Sequence, residues 1–183
     1  QNAIEIDYLD RYYRGDQPIL YRKKVNRPEV NNKIAVNLAY ELVERKVADI
    51  CAEPIQYVLR GTDNKKSEEI SQFNAIMDSE NKQECDIDIC RWRSIGGMGY
   101  RFIGNDDGNG SLLDESDFEL SSEDPRYTFV AYYYNNKPAF SCQIREDENG
   151  KKIYFCYTNS GWFEIVDGEI EKSGINGNGA IPV

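Results

Sequence analysis

YTFVAYYYNNKPAFSCQIREDENGKKIYFCYTNSGWFEIVDGEIE, running from Tyr127 to Glu171, decides the fold class. Apolar and polar residues alternate in short runs at 127–134, 138–146, 151–158, 162–166 and 169–171. The separators are Asn135-Asn136, Asp147-Glu148-Asn149-Gly150, Asn159-Ser160-Gly161 and Asp167-Gly168. A period of two marks strands, because successive side chains point to opposite faces of a sheet. Asp-Gly as a two-residue link is a type I′ hairpin signal. The stretch therefore predicts an antiparallel meander. Phe140, Cys142 and Ile144 fall on one face, and Ser141, Gln143 and Arg145 on the other, which predicts a half-buried strand. Strand 151–158 is apolar on both faces and is expected to be covered on both. Mirror symmetry about the turn at 147–150 sets Cys142 opposite Phe155. A slip of one residue sets it opposite Cys156 and turns the face over.

Upstream of the meander the period becomes helical. Residues 3–14 carry Ile4, Ile6, Leu9, Tyr12 and Tyr13 among charges and stop at Gly15, which fits a short helix with a glycine end. Pro18 sets up an extended segment, Ile19 to Tyr21. In residues 32–50, Ile34, Leu38 and Leu42 recur four apart, as do Ala35, Ala39 and Val43. Asn31 or Asn32 is the expected cap. The apolar arc is wide, which predicts packing on more than one side. Pro54 bars continuation, and residues 55–59 read as a strand. After a loop at 61–66, Ser67 is the expected cap of a helix burying Ile70, Phe73, Ile76 and Met77. A further helix, 83–94, places Cys85, Ile89 and Trp92 at three-to-four spacing and ends at Gly96-Gly97. A strand from Met98 to Ile103 follows. The fold class is thus α+β, with N-terminal helices packed against a C-terminal antiparallel meander. The expected division is a mainly helical region over residues 1–104, a connector over 105–126 and a sheet region over 127–183. The apolar close Gly179–Val183 reads as cut within an element, which leads us to expect a longer parent protein.

The 183 residues suffice for one domain with a real core, or two small ones. Thirteen tyrosines suit half-buried sheets and subunit interfaces, since each buries a ring and keeps a polar tip. With 22 basic and 32 acidic residues the net charge is −10, which opposes tight nucleic-acid binding at long range. DNA passing through a smooth channel is compatible with it. No apolar stretch approaches the roughly 20 residues of a membrane span, and no signal peptide is visible. Five cysteines at 51, 85, 90, 142 and 156 have no C-x-x-C spacing, so neither a disulfide scaffold nor a zinc site is indicated.

The residues offer little to catalysis. There is no histidine, hence neither the commonest general base nor half of the usual zinc ligands. Asp86 and Asp88 are two apart on a helix and do not share a face. Asp106-Asp107 and Glu115/Asp117 read as solvated loop charges. The run Asn105–Gly110 resembles the start of a calcium loop, but Ser116 stands where a bidentate Glu belongs. Gly96, Gly97 and Gly99 lack G-x-G-x-x-G spacing and leave a helix where a phosphate loop leads into one. They read as a sharp helix-to-strand exit. No catalytic residue, cofactor or metal is expected.

One group of short signatures recurs in order along the chain: Tyr12-Tyr13-Arg14-Gly15 with Pro18-Ile19; Asn31-Asn32-Lys33-Ile34 with Asn37; Pro54-Ile55-Gln56-Tyr57; Gly97-Met98-Gly99-Tyr100; and Pro125 followed by Phe129, Val130 and Tyr132. Taken together they resemble tailed-bacteriophage portal proteins of the long-tailed type, in the N-terminal and wing region. Ala52 stands where that pattern has glycine, which leaves the local turn open. The resemblance implies a structural protein, not an enzyme. It implies a dodecameric ring at one capsid vertex, through which double-stranded DNA enters and leaves without sequence recognition and which joins head to tail. It implies terminase motor, capsid and head-completion proteins as partners, no membrane, and a place in the virion after assembly in the bacterial cytoplasm. Two other readings stay open on residues alone. One is a different phage α+β scaffold or interaction module, which the two long stem helices of a portal would distinguish. The other is a metal-dependent hydrolase, which converging carboxylates would reveal.

Overall fold

The computed structural model describes residues 2–29, 31–61, 64–105, 118–177 and 179–183. In chain order these form α1 (Asn2–Tyr13), a 3-10 turn (Pro18–Tyr21), α2 (Leu38–Cys51), α3 (Asn64–Ser79) and α4 (Lys82–Gly96). Then come β1 (Tyr100–Asn105), β2 (Phe118–Glu123), β3 (Thr128–Tyr132), β4 (Pro138–Glu146), β5 (Lys152–Tyr157), β6 (Gly161–Val166) and β7 (Glu169–Ile175). The architecture is α+β, a helical layer packed against antiparallel sheet.

The meander forms as its period requires. Strands β3 to β7 pair in sequence order, all antiparallel. Asp167 and Gly168 both adopt positive φ, 53° and 85°, as a type I′ link needs. Cys142 pairs with Cys156, so the slipped register holds. Its cause lies in the turn. Asp147 N–H donates to the Lys151 carbonyl, and the Asp147 carboxylate accepts from the amides of Asn149 and Lys151. That closes a five-residue link and moves the mirror centre to Asn149.

The expected half-burial of β4 is corrected. Ser141 and Gln143 are 0% and 1% exposed, more deeply buried than Cys142 at 3%. The polar face is the one that packs on the hairpin β1–β2, where the Phe102 and Tyr157 rings meet with centroids 5.5 Å apart. The other face is partly covered at Ile144, while Phe140 is exposed. Strand β2 lies inside the stretch read as connector, where no period announced it. Residues 106–117 lie outside the described residues, and with them Asp106, Asp107, Glu115, Asp117 and most of the calcium-like run.

Helix α4 is the centre of the helical region, touching α1, α2, α3, β1 and β2. Ile6 of α1, Val47 and Cys51 of α2, Cys85 of α4 and Leu120 of β2 are the buried apolar residues around it. Gly96 lets α1 approach, since a Cβ there would stand 3.2 Å from the Ile6 side chain.

Several boundaries differ from expectation. Helix α2 begins at Leu38, and neither Asn31 nor Asn32 caps it; Asn37 does, its side chain accepting from Tyr40 N–H at 3.2 Å. Residues 32–36 are not helical. Helix α2 is also covered on one side only: Val47 and Cys51 are buried, while Leu38 and Leu42 are 59% and 68% exposed. The segment Pro18–Tyr21 is a 3-10 turn and not extended, because the fixed φ of proline suits the first position of a helical turn. Residues 55–59 are not a strand. Both backbone groups of Tyr57 are instead taken by the Asn74 side-chain amide at 3.0 and 2.9 Å, which stands in for a neighbouring strand. Helix α3 starts at Asn64, ahead of Ser67, and its apolar residues are half-buried at most, with Phe73 exposed. Strand β1 starts at Tyr100 and not Met98.

Candidate functional site

The signature residues gather in three structural clusters. The first is a clasp between the end of α1 and the start of α2. Helix α1 stops in a Schellman arrangement, with Asp16 N–H donating to Arg11 O at 2.9 Å and Gly15 N–H to Tyr12 O at 3.1 Å. That requires the left-handed φ of +89° that Gly15 adopts. Asn37 Nδ2 then donates to Tyr13 O at 2.8 Å, so one asparagine both caps α2 and closes α1. Gln17 Nε2 donates to Val36 O at 3.2 Å, and Lys33 Nζ to Leu20 O at 2.6 Å. Tyr13, Gly15, Pro18, Lys33 and Asn37 thus belong to one unit. Tyr12 points outward beside Tyr8, Ile19 is half-buried, and Asn31 and Asn32 take no part in the cap.

Behind the clasp, Tyr13 O–H donates to Glu44 Oε1 at 2.6 Å, and Arg91 Nε donates to the same oxygen at 2.9 Å. The bonds from Arg91 and then Tyr13 hold the Glu44 carboxyl below its ordinary range. Burial, followed by the bond to Glu44, pushes the Tyr13 phenol up to about 12. The Tyr13 and Tyr40 rings lie 5.3 Å apart.

The second cluster surrounds Tyr57. Its ring meets Phe73 edge-on at 5.0 Å, and Lys82 Nζ lies 5.6 Å from its centroid. Lys82 also donates to Ile55 O at 3.1 Å and pairs with Asp86, which pairs in turn with Arg101. Lys82 and Asp86 are both buried. A buried carboxylate between two cations is neutralised and held still. Pro54 begins the exposed segment that reaches this cluster.

The third cluster is the helix-to-strand exit and the start of the meander. Gly97 ends α4 in the left-handed region at φ +81°. Gly99 lies so close to α4 that a Cβ would come within 2.7 Å of the Ile89 carbonyl oxygen. The expected close backbone contact is present. Tyr100 is half-buried, and burial raises its phenol pKa. After Pro125, the Arg126 guanidinium makes a two-point contact with Asp124, Nε–Oδ1 3.0 Å and NH2–Oδ2 2.6 Å. It also reaches Asp10 at 2.9 Å and lies over the Trp92 ring at 5.2 Å. Asp10 is 2% exposed and receives Arg14 Nε at 3.1 Å. Phe129 stands edge-on to Phe140 at 5.9 Å, and Phe129 and Tyr132 are exposed.

Reading the residues alone missed Asp10, Glu44, Lys82, Arg91 and Arg126, and weighed Asp86 only beside Asp88 as a carboxylate pair. A signal existed for some of them. Asp10 stands four residues after Ile6 on one helical stripe, and Lys82 stands four before Asp86. Arg126 meets Asp10 across 116 positions, which no local pattern announces.

A cavity of about 530 Å³ lies between the β1–β2 hairpin and the meander, lined by Phe102, Phe155, Tyr157, Trp162 and the Glu164–Lys172 pair among others. Among the described residues no group of three His, Cys, Asp or Glu side chains could hold a metal ion. The carboxylates that do converge are matched by arginine and lysine at close range. Such pairs fix one element against another.

Clasped helices, ion-paired buried carboxylates and a meander with exposed aromatic rings are what the described residues build. The model of the SPP1 Gp6-like phage portal protein family matches residues 1–179, and the chain belongs to that family. Proteins of this family are structural and not catalytic. No curated protein matches the chain. Among the described residues no helix is long and apolar enough to cross a membrane.

Proposed function

We propose that this chain serves as a subunit of a dodecameric ring at a single capsid vertex, through which double-stranded DNA enters during packaging and leaves on ejection. The observation that carries this reading is the portal-family match over residues 1–179. In this reading the ring also joins head to tail. It meets a terminase motor, the capsid and head-completion proteins, and it is assembled in the bacterial cytoplasm before residing in the virion. The net charge of −10 supports DNA transit without adhesion, since an acidic surface repels phosphate at long range. The signature positions act by holding shape: Tyr13, Gly15 and Asn37 lock α1 to α2, Tyr57 anchors the segment after α2, and Gly97 and Gly99 aim β1. We assign residues 1–104 to the helical region, residues 105–126 to its connector and residues 127–183 to the sheet of the wing.

Electron microscopy and native mass spectrometry of the full gene product test this reading. Dodecameric rings are expected, and a phage with a nonsense codon in the gene should yield heads without DNA. A gene product that stays monomeric, with DNA-filled heads in its absence, would overturn it.

A further inference from the structure

The segment after the 3-10 turn is a projecting loop with a closed base. Lys33 Nζ on Leu20 O and Gln17 Nε2 on Val36 O tie its two ends together. Between these ties, residues 22–29 are all exposed, Val25 at 93%. Arg22, Lys23, Lys24 and Arg27 stand there against a single carboxylate, Glu29. In a chain of net charge −10, this loop is a strongly cationic island.

Its electrostatic complement lies at one end of the meander. The β4–β5 and β6–β7 turns fall at the same end of the sheet, and Lys151 Nζ joins them by an ion pair to Asp167 at 3.0 Å. Glu146, Asp147, Glu148, Asp167, Glu169 and Glu171 outnumber Arg145, Lys151 and Lys152 there by three. Ile170, 59% exposed, supplies an aliphatic contact to match Val25.

We propose that the cationic loop 22–29 of one copy docks on the acidic turn end of β4–β7 of the next copy, as a head-to-tail contact. This rests on the ring reading above and deepens it by naming the two faces. A two-fold contact on the loop itself would set like charges together, and one that paired each loop with the other copy's turn end would close at two copies. A heterologous contact pairs opposite signs and leaves each copy with one free face of each kind, as a closed ring requires. Duplex DNA is the weaker candidate for the loop, because the rest of the chain carries the opposing negative charge.

The test mixes the chain with its ¹⁵N-labelled copy at high micromolar concentration and joins lysines to carboxylates with a carbodiimide. Mixed-isotope cross-links are expected from Lys23 or Lys24 to peptides holding Glu146–Glu148 or Asp167–Glu171. They should fall at least about ten-fold in 0.5 M salt, since the Debye length shrinks to a few ångströms. The variant R22E/K23E/R27E should lose them and keep its circular dichroism and Tm, because the altered side chains are exposed. Mixing it with E146K/E148K/E169K should restore cross-links between the reversed faces. Loop cross-links that are absent, purely intramolecular, or spread evenly over all acidic surfaces would overturn the proposal. So would loop-dependent binding of a duplex at physiological salt by fluorescence anisotropy. Closed rings formed by the loop-reversed protein would discard this contact and leave the portal reading standing. Loop cross-links without rings would do the reverse.

Discussion

Arg126→Ala is the most informative perturbation of the fold. The guanidinium joins Asp124, Asp10 and the Trp92 ring, so one side chain ties α1, α4 and the start of the meander. Asp10 is 2% exposed. Without Arg126 it keeps Arg14, whose side chain is 64% exposed and holds it from one side. Stranding a fully buried charge costs about 3–5 kcal/mol. Arg126 is itself 20% exposed and Arg14 remains, so the expected loss is about 2–3 kcal/mol. For a domain of this size that lowers Tm by about 4–12 °C. Urea unfolding followed by Trp92 fluorescence, with Trp162→Phe to isolate the signal, measures both the stability and the loss of the stacked cation. Arg126→Lys keeps the charge and loses the two-point contact, and should recover about half. Combined with Asp10→Asn, the alanine variant should cost less than the sum of the singles by about 1 kcal/mol or more. A loss under about 0.5 kcal/mol, or strict additivity, would refute the view that Arg126 neutralises a buried carboxylate.

Three further outcomes follow from the geometry. Gly99→Ala should destabilise by about 2 kcal/mol or more in the same unfolding assay, because its Cβ would meet the backbone oxygen of Ile89 at 2.7 Å and neither side can yield cheaply; an unchanged midpoint would contradict that packing. The Glu44 carboxyl is held below its ordinary value of 4.5, so its contribution is present above 4.5 and is lost as pH falls through the lowered folded value. The Tyr13 phenol is raised to about 12 from 10, so its contribution is present below 10 and is lost between 10 and about 12; Glu44→Gln should flatten the acid limb and Tyr13→Phe the alkaline one, and unaltered limbs in pH-dependent Tm would count against the pairing. Thiol titration in denaturant without reductant should find five free thiols, although Cys142 and Cys156 are opposed with sulfurs 3.2 Å apart. Burial and the neighbouring thiol push Cys142 up to about 12, which withholds the thiolate that oxidation needs; a count of three with a 142–156 linked peptide would overturn this.

Local chemistry alone announced the meander, the helix ends at Gly15 and Gly97, and the type I′ turn at Asp167-Gly168. These depend on period two, on positive φ and on turn pairs, all set within a few residues. The family resemblance was legible for a similar reason: its signatures are capping and turn residues whose roles are local. The start of α2 was not. Asn31, Asn32 and Asn37 are equal as caps by residue type, and only Asn37 stands where its amide also reaches the Tyr13 carbonyl. Tertiary packing likewise decided which face of β4 is buried. The hairpin β1–β2 covers Ser141 and Gln143, and β2 carries no period that predicts it. The ionic centres at Arg126 and Asp86 belong wholly to the fold, because partners far apart in sequence become neighbours only once the layers pack. The exposed apolar arc of α2 marks a limit of another kind. Its period is written in the chain, but the fold covers only the side that carries Val47 and Cys51 and leaves Leu38 and Leu42 exposed.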